Sequence, residues 1–210
     1  VIAAIVSAFV VVTETAEQAK AKSNYRYNEK LENMHERVNF GNYITNQNEE
    51  WLEGYKSANY KFVFAEFNDV GCEVAAVYNL MISNETSQAL SEVIYNFEKW
   101  AIEFSVGWGY LGSNPRDIYR YLRNKGISYK RNSVYGYFEN RVSSAFVGTD
   151  FIMSTFNKNE AGLHTYYFRK DYDYLLTYNF NADDSPVPYQ NLDSIYDETG
   201  LFIVGYTIND

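Results

Sequence analysis

The hydrophobic pattern of this chain changes its period once, and that change limits the possible folds more than any other feature. Between residues 72 and 104 the apolar residues recur at helical spacing. From residue 151 onward, short runs rich in aromatic and β-branched residues alternate with polar turns, which is typical of antiparallel strands. Helices that precede strands in this way predict an α+β domain.

The boundaries of these elements follow from local signals. Helices are predicted over 72–82, where most positions are apolar or small, and over 86–104, where the apolar residues form one stripe. A third helix is predicted to begin at Asn114 and Pro115, a cap followed by proline in the first turn, and to end at Gly126. Strands are predicted over 151–156, 163–169, 174–180 and 201–208.

The N-terminal region differs in character from the rest. Residues 1–12 are apolar and uncharged but too few to cross a bilayer, and we interpret them as the remnant of a signal peptide or membrane anchor. The alternative is a buried N-terminal strand or helix. Residues 13–50 are polar, with a helix predicted over 25–38 because Tyr27, Leu31 and Met34 fall at helical spacing. This segment is a stalk, a docking helix or a pro-segment, and residues 51–210 are predicted to form the domain. The chain is therefore expected to be exported, either extracellular or membrane-anchored.

Composition excludes several classes of function. The formal net charge is −9 and no basic face is visible, so a nucleic-acid partner is not expected. The single cysteine excludes an internal disulfide, and two histidines as far apart as His35 and His164 do not predict a metal site. The 21 tyrosines are interpreted as a β-rich, half-exposed surface in preference to a stacking platform for sugars or bases.

Cys72 is a candidate nucleophile. It is predicted to lie in the first turn of a helix, where unpaired N–H groups and the helix dipole stabilise a thiolate. Gly71 before it allows a sharp turn, and the N–H of Cys72 itself is a candidate oxyanion donor. The alternative is a small buried hydrophobic residue, the common fate of a free cysteine.

His164 is the candidate base, and a register argument supplies its partner. If Asp171 and Tyr172 form a two-residue turn, His164 faces Asn179 on the neighbouring strand. The side-chain oxygen of Asn179 would then accept a hydrogen bond from the imidazole and hold the ring toward the thiol, giving a Cys-His-Asn triad. Asp183 and Asp184 in the following loop are alternative partners.

Three segments of the chain carry a family resemblance. They are Asn68–Asn79 around Cys72, the stretch from Gly107-Trp108-Gly109 through Asn114–Gly126, and Gly162-Leu163-His164 with Asn179. In this order they resemble the nucleophile helix, middle segment and histidine strand of papain-like cysteine peptidases of the bacteriocin-processing (double-glycine leader peptidase) type, over about residues 65–208. The resemblance implies a papain-like fold in which the cysteine helix packs on an antiparallel sheet that bears the histidine. It also implies hydrolysis of peptide amide bonds through a thioester, without a cofactor.

The resemblance also directs attention to the oxyanion and the cleft. Such enzymes usually have glutamine six residues before the nucleophile, where this chain has Glu66, and we expect Asn68 to donate to the oxyanion together with the Cys72 N–H. Glu66, Gly71 and Trp108 are expected to line the cleft, although Trp108 is as readily a packed loop anchor. Two other functions remain open: a weak or inactive papain-like module that binds peptides or cell-surface partners, and an acyl or amide transferase that uses the same triad.

Overall fold

The fold was analysed in a computed structural model, which describes only part of the chain. The described residues are 2–34, 42–57, 65–66, 71–86, 88–100, 114–133, 149–158, 162–179, 186–190, 194–195 and 199–208. Among the residues singled out from sequence, His35, Asn68, Trp108, Asp183 and Asp184 lie outside these ranges, and Glu66 is described for its backbone alone.

Within the described residues, helices come first along the chain and the main sheet follows. The helices are α1 (Ile2–Met34), α2 (Cys72–Ser83), α3 (Leu90–Trp100) and α4 (Arg116–Asn124), with a short 3-10 helix at Glu50–Leu52. The strands are β1 (Lys56–Ser57), β2 (Ala65–Glu66), β3 (Tyr129–Ser133), β4 (Phe151–Phe156), β5 (Leu163–Asp171), β6 (Tyr174–Tyr178), β7 (Val187–Tyr189) and β8 (Phe202–Ile208).

Strands β3 to β8 form one antiparallel sheet in the order β3-β8-β4-β5-β6-β7, while β1 and β2 pair separately. The α+β prediction is therefore confirmed. The helix predicted over 72–82 and the strand predicted over 151–156 match α2 and β4 within one residue. The pattern did not predict β3 or β7, because each is short or largely polar and gives little period-2 signal.

The main sheet is buried on both faces. Ile152, Tyr167 and Tyr206 pack with the helices on one face, whereas Met153 and Phe168 belong to a second core on the other. Because successive side chains in a strand point to opposite faces, neighbouring residues enter different cores. The predicted half-exposed tyrosine surface is thus wrong for much of the sheet. Its buried tyrosines satisfy their hydroxyls inside the protein, as when Tyr167 donates to Asp150 at 2.8 Å.

The hairpin between β5 and β6 differs from the predicted register. Asp171 pairs with Tyr174, so the turn residues are Tyr172 and Asp173, one position later than expected. Tyr172 takes the left-handed conformation that such a turn requires, with φ 48°. The prediction that His164 directly faces Asn179 is therefore wrong. A shift of the turn by one residue moves every cross-strand partner by two, and the ladder begins only at the pair Tyr167↔Tyr178.

Helix α1 docks largely through polar side chains, and from the apolar stripe used to predict it Leu31 packs against the core. Tyr27 and Met34 are exposed, whereas Asn24, Asn28 and Glu32 are buried. Asn28 exchanges two 2.9 Å hydrogen bonds with the main chain of Lys56. The helix also begins much earlier than residue 25, at Ile2. In the part of the chain that is described, no helix has both the length and the apolar character needed to cross a membrane.

Candidate active site

Helix α2 begins at Cys72, as the sequence indicated. Gly71 caps it with near-helical angles, φ −78° and ψ −1°, and its carbonyl accepts the N–H of Ala75 at 2.7 Å. Nearly the whole helix is buried, because the run from Val74 to Met81 is almost entirely apolar or small. The core therefore fixes the helix axis, and its first turn, with the thiol, packs against β5.

The thiol of Cys72 is enclosed, with 6% of the residue exposed. Burial, together with the neighbouring charge of Glu73, raises the pKa of the thiol to about 12. Hydrogen bonds from the main chain and hydroxyl of Thr165 and from the main chain of Glu73 act in the opposite direction on this pKa, because they favour the thiolate. The balance leaves the thiol protonated at neutral pH.

The bond from Thr165 shows where the sulfur lies relative to the sheet. The main-chain N–H groups of successive strand residues point to opposite neighbouring strands. The N–H of Thr165 that donates to the sulfur therefore does not donate to β4. It points instead toward the side of β5 where β6 pairs only from Tyr167 onward. The sulfur therefore lies beside the start of β5, on the N-terminal side of Tyr167, where the ladder with β6 begins.

His164, also at the start of β5, contacts Asn179. Its Nε2 lies 2.6 Å from the main-chain oxygen of Asn179. A carbonyl oxygen only accepts hydrogen bonds, so this contact assigns the proton to Nε2 and leaves the lone pair on Nδ1. Burial lowers the pKa of His164, partly offset by the bond to Asn179, and the ring also contacts Tyr166 with centroids 4.5 Å apart. The imidazole is therefore neutral at pH 7, with Nδ1 as its basic atom.

The predicted role of the Asn179 side chain needs correction. Its oxygen accepts the N–H of Gln47 at 2.9 Å, and its amide donates to the side-chain oxygen of Gln47 at 3.1 Å. The side chain is thus engaged by the segment between α1 and α2, and it is the carbonyl of Asn179 that meets the imidazole. Pairing rules could not foresee this, because Asn179 follows the end of β6 and has φ 61°.

The thiol of Cys72 and the ring of His164 both lie at the start of β5. Thr165, which contacts the thiol, and His164 are consecutive in the strand, so their side chains point to opposite faces. His164 shares its face with Tyr166, which belongs to the far core. Within the described residues, the hydrogen-bond partners of the thiol are Thr165 and Glu73. Burial, and then the charge of Cys72, raise the pKa of Tyr166, so the thiol and the imidazole are both neighbours of this ring.

Glu73 is a feature that sequence reasoning passed over as a functional group. It is fully buried, and neither carboxyl oxygen has a hydrogen-bond partner among the described residues. Burial and the nearby charge of Asp117 raise the pKa of Glu73 well above its ordinary value, so the folded chain keeps this proton to a higher pH than an exposed glutamate does. The available signal was an ionisable residue at the head of an otherwise apolar helix.

Of the residues predicted to stabilise the oxyanion or to line the cleft, Asn68 and Trp108 lie outside the part of the chain that the structure describes. The N–H of Cys72 lies in the first turn of α2, where helical N–H groups have no intrahelical acceptor. Glu66 lies in β2, and its backbone pairs with that of Lys56 in β1. Among the described residues, no group of three or more His, Cys, Asp or Glu side chains could hold a metal ion.

Comparison of the chain with models of protein families, with curated proteins and with solved structures returned no match. The site must therefore be interpreted from its own chemistry.

Proposed function

We propose that this protein is a papain-like cysteine peptidase in which Cys72 is the nucleophile and His164 the general base. The observation that carries the proposal is the convergence of a thiol and an imidazole at the start of β5. The thiol, at the head of a helix, contacts Thr165, and the ring of the preceding residue, His164, is held through Nε2 by the carbonyl of Asn179. A peptide strand that binds beside the start of β5 would present its carbonyl to the first turn of α2.

The resting state defines the mechanism. A protonated thiol beside a neutral imidazole calls for general-base catalysis, not for attack by a preformed thiolate. In the proposed step, Nδ1 of His164 accepts the Sγ proton while Nε2–H keeps its bond to the carbonyl of Asn179, and the sulfur bonds to the scissile carbonyl carbon. The oxyanion is stabilised by the N–H of Cys72 and by Asn68, and Nδ1 then returns its proton to the leaving amine. Water hydrolyses the thioester by the reverse sequence, and no cofactor takes part.

The decisive experiment is a peptide-library digestion analysed by mass spectrometry. Hydrolysis by the wild-type chain is expected to disappear in Cys72→Ala and in His164→Gln. Phe156→Ser is the control, because Phe156 is exposed at the end of β4 and lies outside the proposed chemistry. Cleavage that persists in Cys72→Ala would contradict the proposal. Adding a primary amine separates hydrolysis from transfer, since a transferase would yield the amide of that amine.

A second function is favoured by one specific observation, the enclosure of a thiol whose pKa is raised to about 12. A thiol held in this way suits a papain-like module that binds peptides or cell-surface partners without turnover. Peptides captured equally by the wild type and by Cys72→Ala, with no product formed, would establish this alternative over the peptidase.

The cellular setting is part of the same proposal. The apolar run of residues 1–12 supports an exported protein, extracellular or tethered to a membrane, with a peptide or protein as its substrate. The net charge of −9 supports a partner other than nucleic acid. Fractionation of cells that express the full-length protein tests the location, and recovery in the cytosol would contradict it.

A further inference from the structure

We propose that the main-chain carbonyl of residue 179 orients His164, and that the side chains of Asn179 and Gln47 are positioning groups that hold this carbonyl in place. The catalytic meaning of the inference rests on the peptidase function proposed above. Its structural content does not, because the state of the imidazole can be measured directly.

The backbone of Asn179 adopts an uncommon conformation. Its φ of 61° is left-handed, a conformation that costs most residues about 1–2 kcal/mol but that asparagine and glycine adopt readily. This turn follows directly after β6, and the carbonyl of Asn179 then lies 2.6 Å from Nε2 of His164. Asparagine is therefore suited to this position by its tolerance of the left-handed backbone. The atom that contacts the imidazole is the main-chain carbonyl oxygen, which every residue type has.

Hydrogen bonds with Thr45 and Gln47 form a clamp around Asn179. Its N–H donates to the carbonyl of Thr45 at 2.7 Å, while its side-chain amide exchanges two hydrogen bonds with Gln47. The segment that supplies these partners is itself fixed, because Glu49 accepts the N–H groups of Thr45 and Asn46 at 2.6 and 3.0 Å. Asn179 is 5% exposed, so water competes little for these bonds.

The segment around Gln47, between α1 and α2, therefore sets the tautomer of the base. With the carbonyl in place, the proton stays on Nε2 and Nδ1 remains the acceptor. Without the clamp, the carbonyl of residue 179 moves, and the ring loses the only hydrogen bond that the described residues give it.

The test uses protein labelled with ¹⁵N-histidine, whose ring shifts distinguish the Nε2–H tautomer from the Nδ1–H tautomer. The chain has only two histidines, and His35→Gln assigns the signal of His164. The variants are Asn179→Gly, Asn179→Ala and Gln47→Leu. Gln88→Leu is the matched control, since it removes another glutamine hydrogen bond, to Tyr121 at 3.0 Å, far along the chain from this clamp.

Glycine and alanine at position 179 are expected to differ. Glycine keeps the left-handed backbone but loses both side-chain hydrogen bonds with Gln47, so His164 should keep mainly the Nε2–H tautomer, with kcat within about fivefold of wild type, the equivalent of one hydrogen bond. Alanine, which also loses the left-handed preference, should mix the tautomers and lower the pKa of His164 further, because the bond to the carbonyl of Asn179 raises that pKa, while KM stays unchanged. Gln47→Leu removes only the 3.1 Å bond and should shift the His164 signal in the same direction by a smaller amount. Gln88→Leu should leave the His164 signal as it is.

Two outcomes would overturn the inference. If Asn179→Gly disturbs the tautomer as strongly as Asn179→Ala, the side chain is the orienting group. If Gln47→Leu leaves the His164 signal unchanged, the side chain of Gln47 has no positioning role. Absence of peptidase activity in the wild type, with the tautomer pattern as expected, would instead count against the proposed function alone.

Discussion

At the scale of single residues, charge is kept out of the head of α2. Cys72 and Glu73 are consecutive, both are buried, and the pKa of each is raised by desolvation first. An ionised Glu73 would further disfavour the thiolate, so a neutral Glu73 is the state in which Cys72 gives up its proton most readily. The residue that follows the nucleophile is thus part of its electrostatic environment.

The raised pKa of Cys72 predicts slow alkylation of the resting protein. At pH 8 iodoacetamide is expected to label native Cys72 at least about tenfold more slowly than the same chain in urea, because little thiolate is present. The rate should keep rising with pH up to about 12, where the thiol ionises. Cys72→Ser supplies the unlabelled control. A rate that reaches a plateau below pH 8 would show a preformed thiolate and contradict this picture.

The raised pKa of Glu73 predicts a pH-dependent stability. The unfolded chain ionises Glu73 near its ordinary pKa of 4.5, whereas the folded chain holds the proton to a higher pH. The stabilisation is therefore complete below pH 4.5 and is lost as pH rises toward the folded pKa, at about 1.4 kcal/mol per pH unit.

Glu73→Gln should remove this slope, which urea unfolding at pH 5 and pH 7.5 would measure. The matched control is Glu92→Gln, since Glu92 is 44% exposed and pairs with Lys125 on the surface. Equal slopes in the wild type and Glu73→Gln would show that the buried carboxyl ionises without cost.

At the scale of elements, polar contacts fix parts that the hydrophobic pattern does not. Glu32 of α1 accepts the N–H of Ser91 at 2.8 Å at the start of α3, and it also accepts the hydroxyls of Ser91 and Tyr55. One carboxylate therefore caps a helix and joins it to another. The sequence predicted a helix here but not its docking face, because the helical spacing of Tyr27 and Met34 carried no information on the partners of Glu32.

Removing that carboxylate should loosen α1. Glu32→Ala is expected to lower the free energy of unfolding by about 2–3 kcal/mol, because it leaves the buried N–H of Ser91 without an acceptor. Hydrogen exchange should then accelerate in α1 and in the first turn of α3. Glu29→Ala, which lies on the exposed side of the same helix, is expected to change stability by less than about 0.5 kcal/mol. Similar losses in both variants would refute the capping role.

At the scale of the whole molecule, one sheet joins two cores. The helices cover one face, while Phe151 and Phe168 stack at 4.6 Å in the core of the other. Since consecutive residues of β5 serve both cores, the thiol environment at Thr165 and the far core at Tyr166 cannot be lost independently. The site therefore depends on the packing of the far core, which contacts His164 through Tyr166.

This shared sheet predicts a single cooperative transition. Phe168→Ala should cost about 3–5 kcal/mol by leaving a cavity in the far core. In a urea titration, Cys72 should become reactive at the same lowered midpoint at which circular dichroism reports loss of the sheet. Tyr172→Ala, at a residue 91% exposed in the hairpin turn, is the control and should shift neither midpoint downward. Thiol exposure that precedes loss of the sheet would show that the two cores separate.

The sequence by itself determined the order of helices and strands, the start of α2 at Cys72 and the strand that bears His164. These features follow from periodicity and from residue types that act within a few positions of one another. The tertiary structure alone decided the β5–β6 register, the engagement of Asn179 by Gln47 and the enclosure of the thiol by Thr165. Each of these joins segments far apart in the chain or depends on a single backbone angle, and local pattern carries no record of such contacts.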